Sequence, residues 1–292
     1  MPSTNPLVRA ASHDVGGIRV TTVADGERRF PLPDGLVANA SHSDVSAALA
    51  AAGLKPDELA VYFNPVVIDT GAGRALVDTG FGAAAGEAPG ATTGLLLRSL
   101  GAAGIDPDSI DAVVISHFHG DHVAGLATPS GAPAFPRARV LVPAPEWAFW
   151  MDDDAMKAAE GRIAETFKSN RDVFAAVKDK VSQFAWGDEI LPGVTAEGTP
   201  GHTPGHTSFL VRSGGQSLFI QSDVTNNPAL FLVHPEWHVG FDQNGPEAER
   251  TRRRVYDRMA AERVPVQGFH FPFPARGVVE KDGAGYRLVP MG

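Results

Sequence analysis

The sequence predicts an α/β (α+β) protein built as a four-layer αββα sandwich, and three observations carry that expectation. Short, β-branched strands and hairpins come in two sets, one before and one after a long helix-rich stretch around residues 155–181. Each set runs into histidines and aspartates: residues 117–122 in the first half, His202, Asp223 and His270 in the second. The segments 92–103, 155–181 and 247–262 are helical in pattern and stand between or after the strands. Two sheets, each with an apolar face, are buried by packing on one another with helices outside.

Taken in order, residues 1–14 are polar and read as a loose arm, leaving 15–292 as a single domain. Residues 18–23 alternate as a strand, and Asp25-Gly26 signals a turn. The chain then runs irregularly to Ser43. A short helix is expected over 44–52, with Val45, Ala48, Leu49 and Ala52 on one face. Strands over 62–69 and 74–78 flank Thr70-Gly71-Ala72-Gly73 as a hairpin. A Gly/Ala-rich loop at 81–91 leads to the helix 92–103, and Asp106-Pro107-Asp108 turns the chain into an apolar strand at 112–115. A Pro/Gly loop at 131–137, a strand at 139–142 and an aromatic segment at 145–151 follow, then the helical stretch to 181. A strand and turn cover 190–194. The tandem Pro-Gly-His units of 197–206 suit neither a helix nor a central strand, and read as a rigid loop. Strands at 208–212 and 216–221 close a hairpin around Ser213-Gly214-Gly215. An apolar, irregular segment spans 226–242, and a charged helix spans 247–262. A strand at 264–269 and a small hairpin at 277–290 complete the chain.

Composition narrows the function. The 292 residues are 43% apolar and 20% charged, an ordinary globular balance. A net charge of −9 disfavours a nucleic-acid partner, because phosphate binding needs a basic surface. It is compatible with a small, uncharged substrate. With no cysteine, disulfides and thiolate ligands are excluded, so any metal is held by His, Asp or Glu. No leader is visible at the start and no stretch of 18 apolar residues occurs, so no membrane partner and a cytoplasmic location are expected.

The chemistry concentrates where the strand at 112–115 ends, in His117-Phe118-His119-Gly120-Asp121-His122. Neutral imidazole is the commonest metal ligand and carboxylate suits hard or borderline cations. His117 and His119, two apart, share a face of an extended chain. Asp121 and His122 are adjacent and can diverge toward two centres. The spacing suits a two-metal site. The competing reading, a solvated polar loop, is weakened by the histidines and aspartate downstream.

This His-x-His-x-Asp-His pattern resembles the signature of the metallo-β-lactamase superfamily, and the likeness extends over most of the chain. Asp78-Thr79-Gly80 is similar to the superfamily's Asp-Thr-Gly element, which implies that Asp78 supports the ligand loops without binding metal. Thr199-Pro200-Gly201-His202-Thr203-Pro204-Gly205-His206 resembles a loop whose first histidine is the ligand, so His202 is expected to coordinate and His206 to support. Asp223, at the end of an apolar strand, matches the bridging carboxylate, and His270 completes the set. The resemblance therefore implies a four-layer sandwich of the metallo-β-lactamase type with two divalent metal ions. One is held by His117, His119 and His202, the other by Asp121, His122 and His270, with Asp223 between them. Zn fits this shell; Mn, Fe, Co or Ni fit nearly as well.

The implied enzyme is a metal-dependent hydrolase in which a metal-bridging hydroxide attacks an ester carbonyl, Asp121 or Asp223 orienting it or moving a proton. Further strings, including Phe149-Trp150, 201–207 and His270 with Phe273-Pro274, resemble the methyl parathion hydrolase and lactonase group. A lactone or other uncharged ester is the expected substrate and a phosphotriester the alternative; a β-lactam, a glyoxalase-type thioester and a non-catalytic metal site stand further off. Trp150 matches a pocket aromatic by that likeness, and Phe118, Phe231 and Trp237 are further pocket candidates. His234 and His238 are expected to be structural or pocket residues. The segment around Trp147 and the N-terminal arm are candidate homodimer surfaces.

Overall fold

The protein is described here by a computed structural model covering residues 5–291. Its strands are β1 (Ala10–Val15), β2 (Ile18–Val23), β3 (Gly26–Pro31), β4 (Glu58–Phe63), β5 (Val66–Asp69), β6 (Arg74–Val77), β7 (Ala112–Val114), β8 (Arg139–Pro143) and β9 (Val181–Phe184) in the first half. The second half supplies β10 (Glu189–Leu191), β11 (Val194–Gly198), β12 (Thr207–Ser213), β13 (Gln216–Ser222), β14 (Val266–Gly268), β15 (Arg276–Asp282) and β16 (Gly285–Pro290). One seven-stranded sheet runs β1-β2-β5-β6-β7-β8-β9, and a second runs β10 to β16 in sequence order.

The two sheets face each other. Val20, Ile68, Val77 and Val114 of the first meet Val194, Phe209, Val211 and Ile220 of the second in one buried cluster. β7 shows how its sequence fits this place. It pairs in parallel with β6 and β8. A parallel strand covered on both faces reads as a continuous apolar run. Ala112 and Val114 point to the inter-sheet core, while Val113 and Ile115 point outward. The outward residues pack under the helices Leu96–Ala102, Ala144–Trp150 and Gly161–Ala175, through Leu100, Trp150, Phe167 and Phe174. On the far side, the helix Gly245–Glu262 lays Val255, Tyr256 and Met259 over Phe219, Val266 and Val279. The layers are helix, sheet, sheet, helix, as expected.

Three elements depart from expectation. Residues 10–14 belong to a strand, not a loose arm; they pair with β2 from Ala10↔Val23 to Val15↔Ile18, and residues 1–4 of that arm lie outside the described residues. β1 is an edge strand whose inward positions are Ala11, His13 and Val15, too weakly apolar to show an alternation in the sequence. β9 ends a stretch that reads as helical, because Val181-Ser182-Gln183-Phe184 carries little β signal of its own. The third is the two-stranded sheet β3–β4, where the sequence suggests a turn followed by irregular chain. That sheet packs with the helix His42–Ala51 and with residues 230–241 in a separate apolar cluster that includes Leu49, Leu59, Phe231 and Val239. It stands beside the sandwich and becomes a wall of the cavity described below.

Asp25 ties this wall to the sandwich. Its carboxylate is fully buried and accepts N–H groups from Phe81 (3.0 Å), Gly94 (3.1 Å) and Leu96 (3.1 Å). The next residue must be glycine, because a Cβ on Gly26 (φ 132°) would lie 1.9 Å from the carbonyl oxygen of Thr92. Burial pushes the Asp25 carboxyl up to about 6, against the lowering pull of the three N–H groups. A carboxyl whose folded value lies above its unfolded value stabilises the fold more as pH falls. Between pH 7.5 and pH 5 the gain is about 1.4 kcal/mol. Urea unfolding of the metal-free protein should therefore show the wild type gaining about that much on Asp25→Asn over this interval. A difference that does not change with pH would rule out the titration of Asp25 as its source.

Candidate metal centre

The predicted ligands converge at one edge of the sandwich. β7 ends into Ile115-Ser116-His117, and His119 precedes the short helix Gly120–Val123 that carries Asp121 and His122. His202 sits in the loop from β11 to β12, Asp223 directly follows β13, and His270 lies two residues past β14. β13 and β14 are parallel neighbours, so their C-terminal ends present Asp223 and His270 side by side. Potential ligand atoms fall into three groups: His117, His119 and His202; His117, His122 and Asp223; and Asp121, His122 and His270. Within each group they lie within 4.8 Å of one another.

Distances define the arrangement. His119 Nδ1 lies 3.1 Å from His117 Nε2 and 2.9 Å from His202 Nε2. His270 Nε2 lies 3.4 Å from Asp121 Oδ2 and 3.0 Å from Asp223 Oδ2. Asp223 reaches both groups, with Oδ2 3.4 Å from His202 Nε2 and Oδ1 3.3 Å from His122 Nε2. Asn226 Nδ2 donates to Asp223 Oδ2 at 2.7 Å.

The rear nitrogens of the rings explain why the front ones are free. His122 Nδ1–H donates to Asp78 Oδ2 (2.8 Å), His202 Nδ1–H to Asp242 Oδ1 (2.7 Å), and His270 Nδ1–H to the Tyr62 carbonyl (2.7 Å). Ser116 Oγ donates to Asp78 Oδ2 (2.8 Å), so it accepts from His117 Nδ1–H (3.0 Å). Each bond fixes the tautomer and leaves an Nε2 lone pair aimed at the centre. Lone pairs facing one another at about 3 Å need a shared cation or proton. His122 Nε2 and Asp223 Oδ1 are buried and have no hydrogen-bond partner. A buried polar atom left unpaired is costly, and a cation satisfies both. The donor set therefore fits divalent metal ions. Burial, then the neighbouring rings, hold His117 and His119 far below the usual imidazole range and so neutral, the form that binds metal. Burial also opposes charge on His122, yet Asp223, Asp78 and Asp121 together push it up.

His206 sits differently. Its Nε2 accepts the backbone N–H of Asp223 (3.0 Å), and its Nδ1–H donates to the Thr199 carbonyl (3.0 Å). Both nitrogens are committed, and burial takes its pKa down to about 3. The ring props the backbone that carries Asp223. His206→Ala should keep the metal content of the wild type, with affinity weakened about 10–100-fold. Elemental analysis and metal titration would check this; a lower metal content per chain than the wild type's would make His206 a ligand.

Several supporting groups carry little sequence signal. Asp242, from the irregular segment before the helix Gly245–Glu262, orients His202; the buried Arg252 lies 3.9 Å from its other oxygen. Glu146 is fully buried and receives four hydrogen bonds: Phe118 N–H (2.9 Å) and Trp150 Nε1–H (2.8 Å) on Oε1, Thr203 Oγ (2.8 Å) and Gly205 N–H (2.7 Å) on Oε2. One carboxylate thus joins the 117–122 loop to the 199–206 loop. Gly205 permits this, because a Cβ there would lie 2.1 Å from Glu146 N.

A cavity of about 600 Å³ opens onto Asp121, Asp223 and His270. Its walls include Leu36, Val61, Phe63, Phe81, Phe231 and Phe241, the first two from the strand-and-helix cap. Phe231 is one of its lining residues. Three other pocket candidates are corrected. Trp150 is fully buried under the outer helices, its indole N–H held by Glu146, with Phe167 against its ring at 4.8 Å. Phe118 lies between His117 and His119, which point inward, so its own ring points outward and meets Phe174 at 4.4 Å. Trp237 fills the cap's apolar cluster and stacks on His234 at 4.0 Å, outside the cavity lining. His238 pairs with Glu249 (3.1 Å), so neither extra histidine joins the cluster.

The sequence pattern of the metallo-beta-lactamase superfamily matches residues 63–262, and the chain belongs to that superfamily. Among curated proteins it is 28% identical to an N-acyl homoserine lactonase of a Bacillus species over 178 residues, 54% of this chain and 63% of that protein. It is 27% identical to an N-acyl homoserine lactonase of Bacillus thuringiensis over 223 residues, 71% of this chain and 76% of that one. The first four curated relatives are matched over 39–63% of their length. Among solved structures, AidC, a dizinc quorum-quenching lactonase, superposes with a TM-score of 0.91 at 22% identity, covering 99% of both chains. The hydrolase AbOPH gives 0.88 at 23% identity, again over 99% of both. Among the described residues no helix is long and apolar enough to cross a membrane.

Proposed function

We propose that this chain is a dinuclear metal-dependent hydrolase that opens lactones or cleaves other uncharged esters. The observation that carries the reading is the pair of ligand groups spanned by Asp223, opening onto a cavity with aromatic and aliphatic walls. His117, His119 and His202 would hold one cation, and Asp121, His122 and His270 the other. When bound, two divalent cations acidify a water and polarise the ester carbonyl. The chain's own residues do the rest. Asp223 places its two oxygens toward the two groups, held by Asn226 and by His206 through its backbone. Asp121 is the more exposed of the two carboxylates and lines the cavity, where it can take a proton and return it to the leaving alkoxide. Phe63, Phe231 and Phe241 exclude water and accept an acyl or ring carbon skeleton. The lactonase relatives support an ester carbonyl as the electrophile and do not favour a phosphotriester.

The test is a comparison of kcat/KM for the zinc- or manganese-loaded protein on an N-acyl lactone, an aryl phosphotriester, a β-lactam and a glutathione thioester. The lactone should lead, at about 10⁴ M⁻¹s⁻¹ or more. A phosphotriester in the lead, or no turnover of any lactone with both metals bound, would contradict the proposal.

A further inference from the structure

Arg162 occupies a place in the cavity that the hydrolytic chemistry leaves unused. It is the second residue of the helix Gly161–Ala175, and its side chain lines the cavity. Its guanidinium lies over the Phe241 ring, 5.3 Å from the centroid. Phe241 in turn stands edge-on to His202 at 5.6 Å and to His119 at 6.4 Å. The cation is thus one aromatic ring away from the three-histidine group, close enough to weigh on His119.

Its donors are uncommitted. Among the described residues the side chain of Arg162, which is exposed, donates no hydrogen bond to the protein and forms no ion pair, whereas Arg171, on the same helix, is bonded to Asp153 at 2.6 Å. The carboxylates nearest in the lining are engaged elsewhere: Asp34 pairs with His42, Asp223 with Asn226 and the histidines, and Asp121 with His270. A guanidinium stacked on an aromatic face is held in orientation while its planar edge keeps five N–H donors free. Oxygen acceptors in a plane, a carbonyl or a carboxylate, are what that edge binds.

We propose that Arg162 is a specificity residue: it recognises an acceptor oxygen on the part of the substrate that is not cleaved, a carbonyl or carboxylate on the acyl arm. This rests on the ester-hydrolase reading for the word substrate, but its test is one of binding and does not need turnover. The probes are three γ-lactams, which present the ring with an amide in place of the labile ester. One carries an amide-linked alkyl arm, one an all-carbon arm of equal length, and one an arm ending in carboxylate. Their affinities for the zinc-loaded protein are measured by calorimetry, with metal content checked in each sample.

Wild type should bind an oxygen-bearing lactam about tenfold or more tighter than the all-carbon one. Arg162→Met should bring them to within about twofold while leaving the all-carbon affinity and the metal content unchanged, and Arg162→Lys should recover part of the difference. A preference for the amide arm identifies a neutral acceptor; a larger, salt-sensitive preference for the carboxylate identifies an anionic one. Equal affinity of wild type for all three, no binding of any, or an equal loss on every lactam in Arg162→Met would overturn the assignment. Failure of lactone turnover with these preferences intact would contradict the ester-hydrolase reading alone.

Discussion

Asp223→Ala should lose metal and activity together. The carboxylate is buried and stands within 3.0–3.4 Å of His270, His202 and His122, so no other side chain can take its place between the two groups. Its carboxyl is held far below the usual range: burial works against ionisation, but His270 and His122 more than offset it. Truncation removes the anion around which five imidazoles are gathered. Metal content should fall below two per chain. Activity should fall by more than the roughly 10–100-fold typical of losing a group that only supports a ligand. Elemental analysis beside kcat/KM checks both. Two metals per chain in the variant would show that Asp223 does not bridge.

Glu146→Ala should be the most destabilising single change near the site. It would strand two backbone N–H groups, the Trp150 indole N–H and the Thr203 hydroxyl in a region without solvent access. Each unsatisfied buried donor costs about 1–3 kcal/mol, less whatever water enters the gap. A net loss of about 4 kcal/mol is expected, or a Tm lowered by about 10 °C. Glu146→Gln keeps one acceptor oxygen and should lose about half as much. The metal centre should weaken in parallel, since this carboxylate spans two ligand loops. Calorimetric melting of the loaded and stripped protein separates the two effects. An Ala variant within about 1 kcal/mol of wild type would show that the clamp contributes little.

The ligand candidates were legible because they are packed into short strings at strand ends: four of them within residues 117–122, and His202 inside a tandem Pro-Gly-His loop that suits neither a helix nor a central strand. The sandwich was legible for a related reason. β7 is apolar on both faces, as only a covered parallel strand needs to be. What escaped was whatever depends on chain segments meeting from far apart. Asp242 lies 40 residues from His202 and looks like any loop aspartate until the fold brings it to the ring. Glu146 has only its spacing of four from Trp150 to suggest a shared helix face. The β3–β4 cap is mostly polar on its exposed side, so its pairing shows only when β4 is opposite. Phe118 misleads for a simple reason: an aromatic next to a candidate ligand in sequence need not face the same way, whereas Trp150 was a pocket candidate by likeness alone and packs under the outer helices. At Phe118 the alternation that points His117 and His119 inward turns the ring between them outward.

The most direct measurement is a titration of the metal-stripped protein with zinc while lactone hydrolysis is followed. The dinuclear account predicts that activity climbs until two equivalents are bound per chain and then stays level, and that chelation abolishes it. Full activity at one equivalent, or activity that survives chelation, would contradict it.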